Sequence, residues 1–264
     1  MLEVAIGLVR QAGALLREGH RSGAGQTDNK SSSVDLVTAY DLASEQLISA
    51  GLRAQFPDHA IHGEENGGEL PAHGPIWVID PLDGTTNFAH GFPVFSVTVA
   101  LLLDRTPVLG VIYDPLRDEL LWAEQGRGAW CDGRRMQVAE ADTLSQCLLA
   151  TGFPYDRAAT ADNNLAEFSY FMPKTRGVRR AGSAALDIGW VAAGRLNGYW
   201  ERGVQVWDVA AGVLMVREAG GVVTTYQGDP WQPGDRFIVA ASRSLHPILL
   251  QGITAARAAV IKQG

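Results

Sequence analysis

The sequence has few cysteines, no cluster of basic residues and no long apolar run, and each absence excludes a class of protein. Cys131 and Cys147 are the only cysteines among 264 residues, and they have neither the spacing of a zinc site nor that of a disulfide framework. Lys and Arg number 22 against 29 Asp and Glu, which gives a formal net charge of −7. Nucleic acid and anionic membrane surfaces are therefore unfavourable partners.

The longest strongly apolar stretch, Val94 to Leu103, is interrupted by Ser96 and Thr98 and is too short to span a bilayer. The N-terminus carries Glu3 and lacks the basic start and the cleavage site of a signal peptide. We therefore expect a soluble, cytoplasmic protein with no membrane partner. Because 46% of its residues are hydrophobic, the chain can form one large domain or two packed units.

The first half of the chain shows two helical patterns followed by a series of strands. A helical apolar stripe opens the chain, and Thr38 is the expected N-cap of a second helix that ends near Ala54. Between these helices, Gly19 to Ser33 is rich in Gly, Ser, Asp and Asn and is predicted to be a loop. Turn-separated strands then indicate an antiparallel sheet: 60–62, 76–79, 95–103, 107–113 and 119–123. Cys131-Asp132-Gly133 indicates a hairpin turn.

From about Ser145 the pattern changes to alternating strands and helices, which indicates α/β layering. The expected strands cover 147–150, 197–200, 222–225 and 237–240, and the expected helices cover 183–193, 209–218 and 246–262. We therefore predict an α-β-α-β-α sandwich, with a mixed sheet in its second half. The two subdomains are expected to be residues 1–144 and 145–264.

The most informative segment runs from Asp80 to Thr86, directly behind the apolar strand 76–79. Its two aspartates, Asp80 and Asp83, fall at the carboxyl end of that strand, where they can converge on one hard cation such as Mg²⁺. The Gly-Thr-Thr sequence that follows offers backbone N–H groups and hydroxyls to a phosphate oxygen. Taken alone, the segment also fits an Asp-rich turn punctuated by Pro and Gly.

Three further acids stand at the ends of other predicted elements. Asp41 and Asp208 open helices, where charge–dipole interaction alone favours an acid, and Glu64 fits a solvated turn. However, Glu64, Asp208 and the two aspartates of the central segment all follow apolar segments. Four acids at one sheet edge repel one another unless cations lie between them. The sequence therefore favours a metal site.

Three segments together resemble the inositol monophosphatase family of Mg²⁺-dependent phosphatases: Gly63-Glu64-Glu65, Trp77 to Phe88, and Trp207 to Gly212. They occur in the family's order and spacing, and the resemblance covers the chain from about Lys30 to Ala241. The central segment is highly specific to that superfamily, whereas the Trp-Asp element is weak alone. The resemblance implies a lithium-sensitive phosphomonoesterase, a homodimer, and two or three Mg²⁺ ions in each active site.

The resemblance also implies which residues hold the metal. Glu64, Asp80 and the backbone carbonyl of Leu82 would hold the first Mg²⁺. Asp80, Asp83 and Asp208 would hold the second, and a third, weaker ion would lie near Glu64. Two cations about 3.5–4 Å apart can lower the pKa of a water and neutralise the leaving alkoxide in an in-line displacement. No covalent nucleophile is needed, and the chain has no G-x-S-x-G motif.

For catalysis and phosphate binding, the resemblance implies a second group of residues. Thr85, together with Glu64 and Asp41, would orient the attacking water, and Gly84 and Thr85 would receive the phosphate. Lys30 would lie near the third ion.

On the side of the alcohol, Gly182-Ser183-Ala184 and Glu201 would line the pocket, with Glu201 accepting hydrogen bonds from substrate hydroxyls. Asp83 and Asp208 would also face the substrate. Two positions depart from the animal enzymes: Arg180 replaces a smaller polar residue and is compatible with a second phosphate, and Gln205 replaces a histidine near the ring.

We therefore expect a phosphatase acting on myo-inositol 1-phosphate or a close polyol phosphate. Histidinol phosphate, fructose 1,6-bisphosphate and nucleotide 3′- or 2′-phosphates remain alternative substrates of the same chemistry. A different class of function is also open, because some bacterial members of the family are thought to be regulators that bind transcription machinery. Such a regulator is expected to have lost carboxylates or gained a basic face, and this acidic chain retains all five acids of the motif set.

Overall fold

A computed structural model of the chain describes residues 1–23, 27–29 and 36–261. The described helices are α1 (Leu2–Ser22), α2 (Ala39–Gln55), α3 (Thr85–Ala89), α4 (Leu165–Phe171), α5 (Ala184–Ala192), α6 (Val206–Glu218) and α7 (His246–Ile261). The described strands are β1 (Thr27–Asn29), β2 (Leu36–Thr38), β3 (Ala60–Gly63), β4 (Pro75–Asp83), β5 (Ser96–Leu103), β6 (Thr106–Asp114), β7 (Glu119–Glu124), β8 (Gly128–Cys131), β9 (Arg134–Arg135), β10 (Leu148–Thr151), β11 (Gly177–Arg179), β12 (Gly198–Arg202), β13 (Val222–Thr224) and β14 (Phe237–Ala241).

The first half of the chain forms a seven-stranded sheet in the order β3-β4-β5-β6-β7-β8-β9. The expected antiparallel pairing holds from β4 to β9, and β3 adds one parallel pair with β4 at the edge. A tight hairpin cannot make a parallel pair, but the long connection 64–74 lets the chain return to the same end of the sheet. The predicted hairpin turn joins β8 to β9, with positive φ at Asp132 and Gly133.

The second half forms a five-stranded mixed sheet in the order β11-β10-β12-β14-β13. Strand β10 is parallel to β11 and β12, whereas β14 is antiparallel to β12 and β13. The mixed sheet is therefore confirmed. Sequence periodicity did not predict β11 or α4, because both are short and lack a clear apolar pattern.

Helices and sheets alternate in five layers, as predicted. Helices α1 and α2 cover the outer face of the first sheet, α5 and α6 lie between the two sheets, and α4 and α7 cover the second sheet. The central helices are buried almost all round, which explains their apolar sequences. Small residues let them approach closely, since a Cβ on Gly212 would lie 2.1 Å from the Ile188 side chain.

The predicted loop 19–33 begins later than expected. Helix α1 continues through Gly19, because this glycine packs directly against the Tyr40 ring of α2. Gly23, with a φ of 70°, then ends the helix in the left-handed conformation. Thr27–Asn29, also inside the predicted loop, pairs with Leu36–Thr38. No described helix is both long enough and apolar enough to cross a membrane.

Candidate active site

Strand β4 carries Asp80 and Asp83 on a β-bulge. The sequence predicted a turn after Ile79, but the strand continues to Asp83 while its pairing with β5 shifts register between the two aspartates. A bulge re-aims side chains without ending the strand, so both acids are fixed by the sheet. They are 2% and 8% exposed. The Leu82 N–H donates to Asp80 Oδ1 over 3.1 Å.

Helix α2 braces this edge from behind. The Ser44 hydroxyl donates to the Pro81 carbonyl over 2.8 Å. The Glu45 carboxylate accepts from the Glu65 N–H at 2.8 Å and from the Asn66 N–H at 2.9 Å, which fixes the turn that follows β3. A Cβ on Gly63 would lie 2.5 Å from that carboxylate. Sequence analysis missed both α2 side chains, because polar residues on an amphipathic helix resemble its exposed face.

Glu64, Asp80, Asp83 and Asp208 line one cavity of about 1170 Å³. Burial raises the pKa of Asp80 well above its ordinary value, and the negative charge of Glu64 raises it further. The side chains of Glu64 and Asp80 also share a hydrogen bond. Within the described residues, no Lys or Arg forms an ion pair with the three aspartates. Clustered acids with raised pKa values are an expected property of a metal site.

Asp208 reaches the cavity from the first turn of α6. Its Oδ2 accepts the Gln205 N–H over 2.7 Å, as part of a capping box, so the acid lies three residues inside the helix rather than at its N-cap. Burial raises the pKa of Asp208 well above its ordinary value, followed by the charge of Glu64. This helix start brings an acid from the second half of the chain to acids of the first.

The Asp83 carboxylate joins the two halves directly. Its Oδ2 accepts from the Ser183 hydroxyl at 2.5 Å, the Ala185 N–H at 2.8 Å and the Ser96 hydroxyl at 3.3 Å. Its Oδ1 accepts from the Ala184 N–H at 3.1 Å. Burial nevertheless raises the pKa of Asp83 to about 6, against the lowering effect of these donors. The Ser183 hydroxyl also caps α5 through the Leu186 N–H.

Thr85 and Asp41, two of the residues expected to orient the attacking water, are joined by a hydrogen bond. The Thr85 hydroxyl lies 2.9 Å from Asp41 Oδ1 and 3.1 Å from the Leu82 carbonyl, both of which are acceptors. Asp41 is fully buried, and its Oδ2 accepts from the Thr38 N–H at 2.7 Å and from the Thr38 hydroxyl. The same Asp41 therefore closes a capping box at the start of α2 and orients a hydroxyl in the cavity.

Two close backbone approaches fix the turn at Gly84. Gly84 has a φ of 103°, and a Cβ there would lie 3.0 Å from the Val94 carbonyl and 3.1 Å from the Gly182 carbonyl. The Asn87 side chain donates to the Val94 carbonyl at 2.7 Å and to the Ala181 carbonyl at 2.8 Å. Asn87 thereby ties this turn to the second half of the chain. Its role was not predicted, although it stands inside the central motif.

Glu201 enters the cavity from β12. The Tyr199 hydroxyl donates to Glu201 Oε2 over 2.6 Å, and burial raises the pKa of Glu201 to about 7. Gly152 permits this placement, because a Cβ there would lie 2.1 Å from the Glu201 carboxylate. Arg180 and Asp187 line the same end of the cavity. The sequence analysis did not select Asp187, and Lys30 lies outside the described residues.

The cavity thus combines clustered acids, an oriented hydroxyl and a glycine-rich turn, an arrangement that can hold cations beside a phosphate group. Comparison with known proteins agrees with this. Residues 1–261 match the model of the inositol monophosphatase family. An inositol-1-monophosphatase of Synechocystis is 46% identical over 231 residues, which are 87% of this chain and 80% of that protein. The Nus factor SuhB of Pseudomonas aeruginosa is 44% identical over 259 residues, 96% of this chain and 95% of that protein.

Solved structures agree with the sequence comparison. The structure of inositol monophosphatase from Anabaena superposes with a TM-score of 0.87 at 43% identity, covering 96% of this chain and 95% of that one. The chain therefore belongs to the inositol monophosphatase family and is a phosphatase. Members of this family generally depend on metal ions and act on small phosphate monoesters.

Proposed function

We propose that this phosphatase hydrolyses myo-inositol 1-phosphate or a close polyol phosphate with the help of Mg²⁺. The observation that carries the proposal is the placement of Glu201 in the same cavity as the acid cluster. One wall of the cavity then offers an acceptor for hydroxyls and the other offers sites for cations and phosphate.

The residues fit hard cations. All candidate ligands are oxygens, the ligands that Mg²⁺ prefers. Asp83 uses Oδ2 for three hydrogen bonds and Oδ1 for one, so Oδ1 is the freer atom. We assign Glu64, Asp80 and the Leu82 carbonyl to a first Mg²⁺, and Asp80, Asp83 and Asp208 to a second. Bound there, the ions supply positive charge that activates water and stabilises the leaving oxygen.

The chain's own groups orient the reactants. Because Asp41 takes the Thr85 hydroxyl hydrogen, the Thr85 oxygen presents lone pairs to a water and accepts its hydrogen bond. Glu64 would be the second acceptor of this water. Gly84 and Thr85 would receive the phosphate, and holding the groups in line lowers the entropic part of the barrier.

The alcohol end of the substrate would lie against Gly182, Ala184 and Glu201. Glu201 would accept hydrogen bonds from ring hydroxyls, while the Ser183 hydroxyl supports the site by holding Asp83. Arg180, which is exposed at the cavity mouth, adds a positive charge on this side. Lithium sensitivity and a homodimer stay predictions from the family resemblance, and a cytoplasmic location stays a prediction from the sequence.

A phosphate-release screen with Mg²⁺ tests the proposal. The panel contains myo-inositol 1-phosphate, other polyol phosphates, histidinol phosphate, fructose 1,6-bisphosphate and nucleotide 3′- and 2′-phosphates. We expect the highest kcat/KM on a polyol monophosphate. A preference for histidinol phosphate, a bisphosphate or a nucleotide would contradict the proposed substrate while leaving the phosphatase class intact.

A second role is supported by the similarity to SuhB, which is named a Nus factor. This role would not need the metal cluster. We therefore expect Asp208→Asn to complement a SuhB-deficient strain of P. aeruginosa if the chain has this function. Failure of the wild-type chain to complement would remove this second candidate.

A further inference from the structure

Asp187 is a buried acid of the cavity to which the proposed reaction gives no role. It lies in the first turns of α5, is 2% exposed and lines the cavity. Its Oδ1 has no hydrogen-bond partner among the described residues. Buried polar groups normally have a partner, because burial without one is unfavourable. The burial of Asp187 without a partner for this oxygen therefore needs an explanation.

The capping of α5 does not explain the presence of Asp187 at this position. The Ala184 and Ala185 N–H groups already donate to Asp83, and the Leu186 N–H donates to Ser183. The exposed backbone donors at the start of α5 are therefore used before Asp187 is reached. An acid near a helix N-terminus also gains from the helix dipole, but this gain does not require the acid to line a cavity.

The neighbours of Asp187 place it at the alcohol end of the cavity. Burial raises its pKa well above the ordinary value, the negative charges of Glu201 and Asp83 raise it further, and the Arg180 guanidinium lowers it. Asp187 is thus close enough to Glu201 and Arg180 to feel both charges. Glu201 and Arg180 are the residues on the specificity side of the proposed site.

We propose that Asp187 binds a hydroxyl of the substrate's polyol part and is a specificity-determining residue beside Glu201. This inference rests on the proposed function, since it requires a polyhydroxylated substrate. A hydroxyl suits the position because it both donates and accepts hydrogen bonds, so it satisfies the acid in either protonation state. A site built around a substrate hydroxyl discriminates strongly against an analogue that lacks it, because the buried group is then left unpaired.

The test compares Asp187→Asn and Asp187→Ala with the wild type. The substrates are myo-inositol 1-phosphate, the series of its monodeoxy analogues, and p-nitrophenyl phosphate, which has no ring hydroxyl. We expect Asp187→Ala to lower kcat/KM for myo-inositol 1-phosphate by about 10- to 100-fold, mainly through KM, because a buried substrate hydroxyl is then left without its partner. Hydrolysis of p-nitrophenyl phosphate should stay within about two-fold of the wild type.

One deoxy analogue should respond differently. The analogue that lacks the hydroxyl bound by Asp187 should be hydrolysed equally well by the wild type and by Asp187→Ala.

Asp187→Asn keeps the shape and polarity of the side chain, so it tests the site without leaving a gap. We expect the melting temperature of Asp187→Asn to equal or exceed that of the wild type, because the acid is unpaired in the free enzyme.

Asp114 provides the matched control, since it is a fully buried acid on β6 whose oxygens are bonded to Arg117 and to backbone N–H groups. Asp114→Asn should lower the melting temperature and leave unchanged the ratio of kcat/KM for myo-inositol 1-phosphate to kcat/KM for p-nitrophenyl phosphate. The inference is wrong if Asp187→Asn lowers the melting temperature as this control does. It is also wrong if Asp187→Ala lowers the hydrolysis of both substrates equally, or of neither. A wild type that hydrolyses p-nitrophenyl phosphate but no polyol phosphate overturns both this inference and the proposed function.

Discussion

Two clusters of acids in this molecule differ in what neutralises them. In the first, on α4 and the loop before it, Asp162 and Glu167 meet Arg257 of α7 at 2.7 and 2.9 Å, and Arg202 meets Asp156 at 2.8 Å. In the second, Glu64, Asp80, Asp83 and Asp208 line the same cavity, and no ion pair to Lys or Arg is found for these three aspartates in the described part of the chain. Both clusters connect distant segments of the chain.

The pKa values show what this difference means. A hydrogen bond from Arg202 lowers the pKa of Asp156, so its charged form is favoured in the fold. Burial and neighbouring acids raise the pKa of Asp80 and Asp208, so their charged forms are disfavoured until positive charge arrives from outside. The arginine-paired acids are therefore charged in the fold without an added ion, whereas burial disfavours the charge of the cavity aspartates Asp80 and Asp208.

Asp208→Asn should have the largest effect on activity. It removes one charge from the proposed second metal site, while its amide oxygen can still accept the Gln205 N–H that caps α6. We expect kcat to fall about 10³-fold or more, since the metal supplies several kcal/mol of transition-state stabilisation. Phosphate release with Mg²⁺ and circular dichroism measure the loss and the retained fold. Wild-type activity that survives extensive EDTA treatment would contradict the inference that the cavity acids hold cations needed for the reaction.

Thr85→Ala should have the next largest effect. It removes the hydroxyl that Asp41 orients, without touching a proposed metal ligand side chain. We expect kcat to fall about 10²- to 10⁴-fold, the range for a lost group in proton transfer or water orientation. Thr85→Ser keeps the hydroxyl and serves as the control. Equal loss in both variants would assign Thr85 to packing rather than to the reaction.

Glu201→Gln should change binding of the substrate's alcohol part without changing the proposed metal site. We expect kcat/KM for myo-inositol 1-phosphate to fall about 10- to 100-fold, since a hydrogen bond to a charged group contributes about 1.5–3 kcal/mol. Hydrolysis of p-nitrophenyl phosphate should barely change. Parallel losses on both substrates would move Glu201 to the metal site or the fold, and an unchanged enzyme would leave it without a role in binding.

Arg257→Leu should change stability and leave activity unaltered. Its loss leaves Glu167, whose side chain is almost completely buried, without its cation. Because Arg257 itself is partly exposed, we expect destabilisation of at most about 3 kcal/mol, the lower end for one partner of a buried pair. Urea denaturation with parallel assays measures both quantities. A variant that keeps its stability but loses phosphatase activity would reverse the assignment of the two clusters.

The smallest expected effect is the pH dependence of stability in Glu201→Gln. The folded pKa of Glu201 is about 7 and its ordinary value is 4.5. Between these values the folded protein holds a proton that the unfolded chain releases, so wild-type stability falls as the pH rises through this window. Glu201→Gln removes that contribution. The variant should therefore gain stability relative to the wild type between about pH 4.5 and pH 7. Urea denaturation of both proteins at several pH values measures this gain, and a difference in stability that does not change with pH would contradict it.

Much of the molecule follows from sequence. Thr38 caps α2 as its side chain predicts, and the apolar patterns predict most strands and the five layers. Four acids line one cavity, as their positions behind apolar segments predict: Glu64, Asp80, Asp83 and Asp208. These features depend on local propensity and periodicity, which are properties of neighbouring residues along the chain.

Tertiary structure alone decided how those acids are held. Glu45 fixes the turn of Glu64 across about twenty positions of the chain, Asn87 reaches the Ala181 carbonyl, and Asp187 lies unpaired beside Glu201. In sequence these residues are an acid on a helix, an amide after a turn and an acid in a first helical turn. Hydrogen bonds and burial between distant segments give them their roles, and no local pattern encodes which polar groups the fold leaves without a partner.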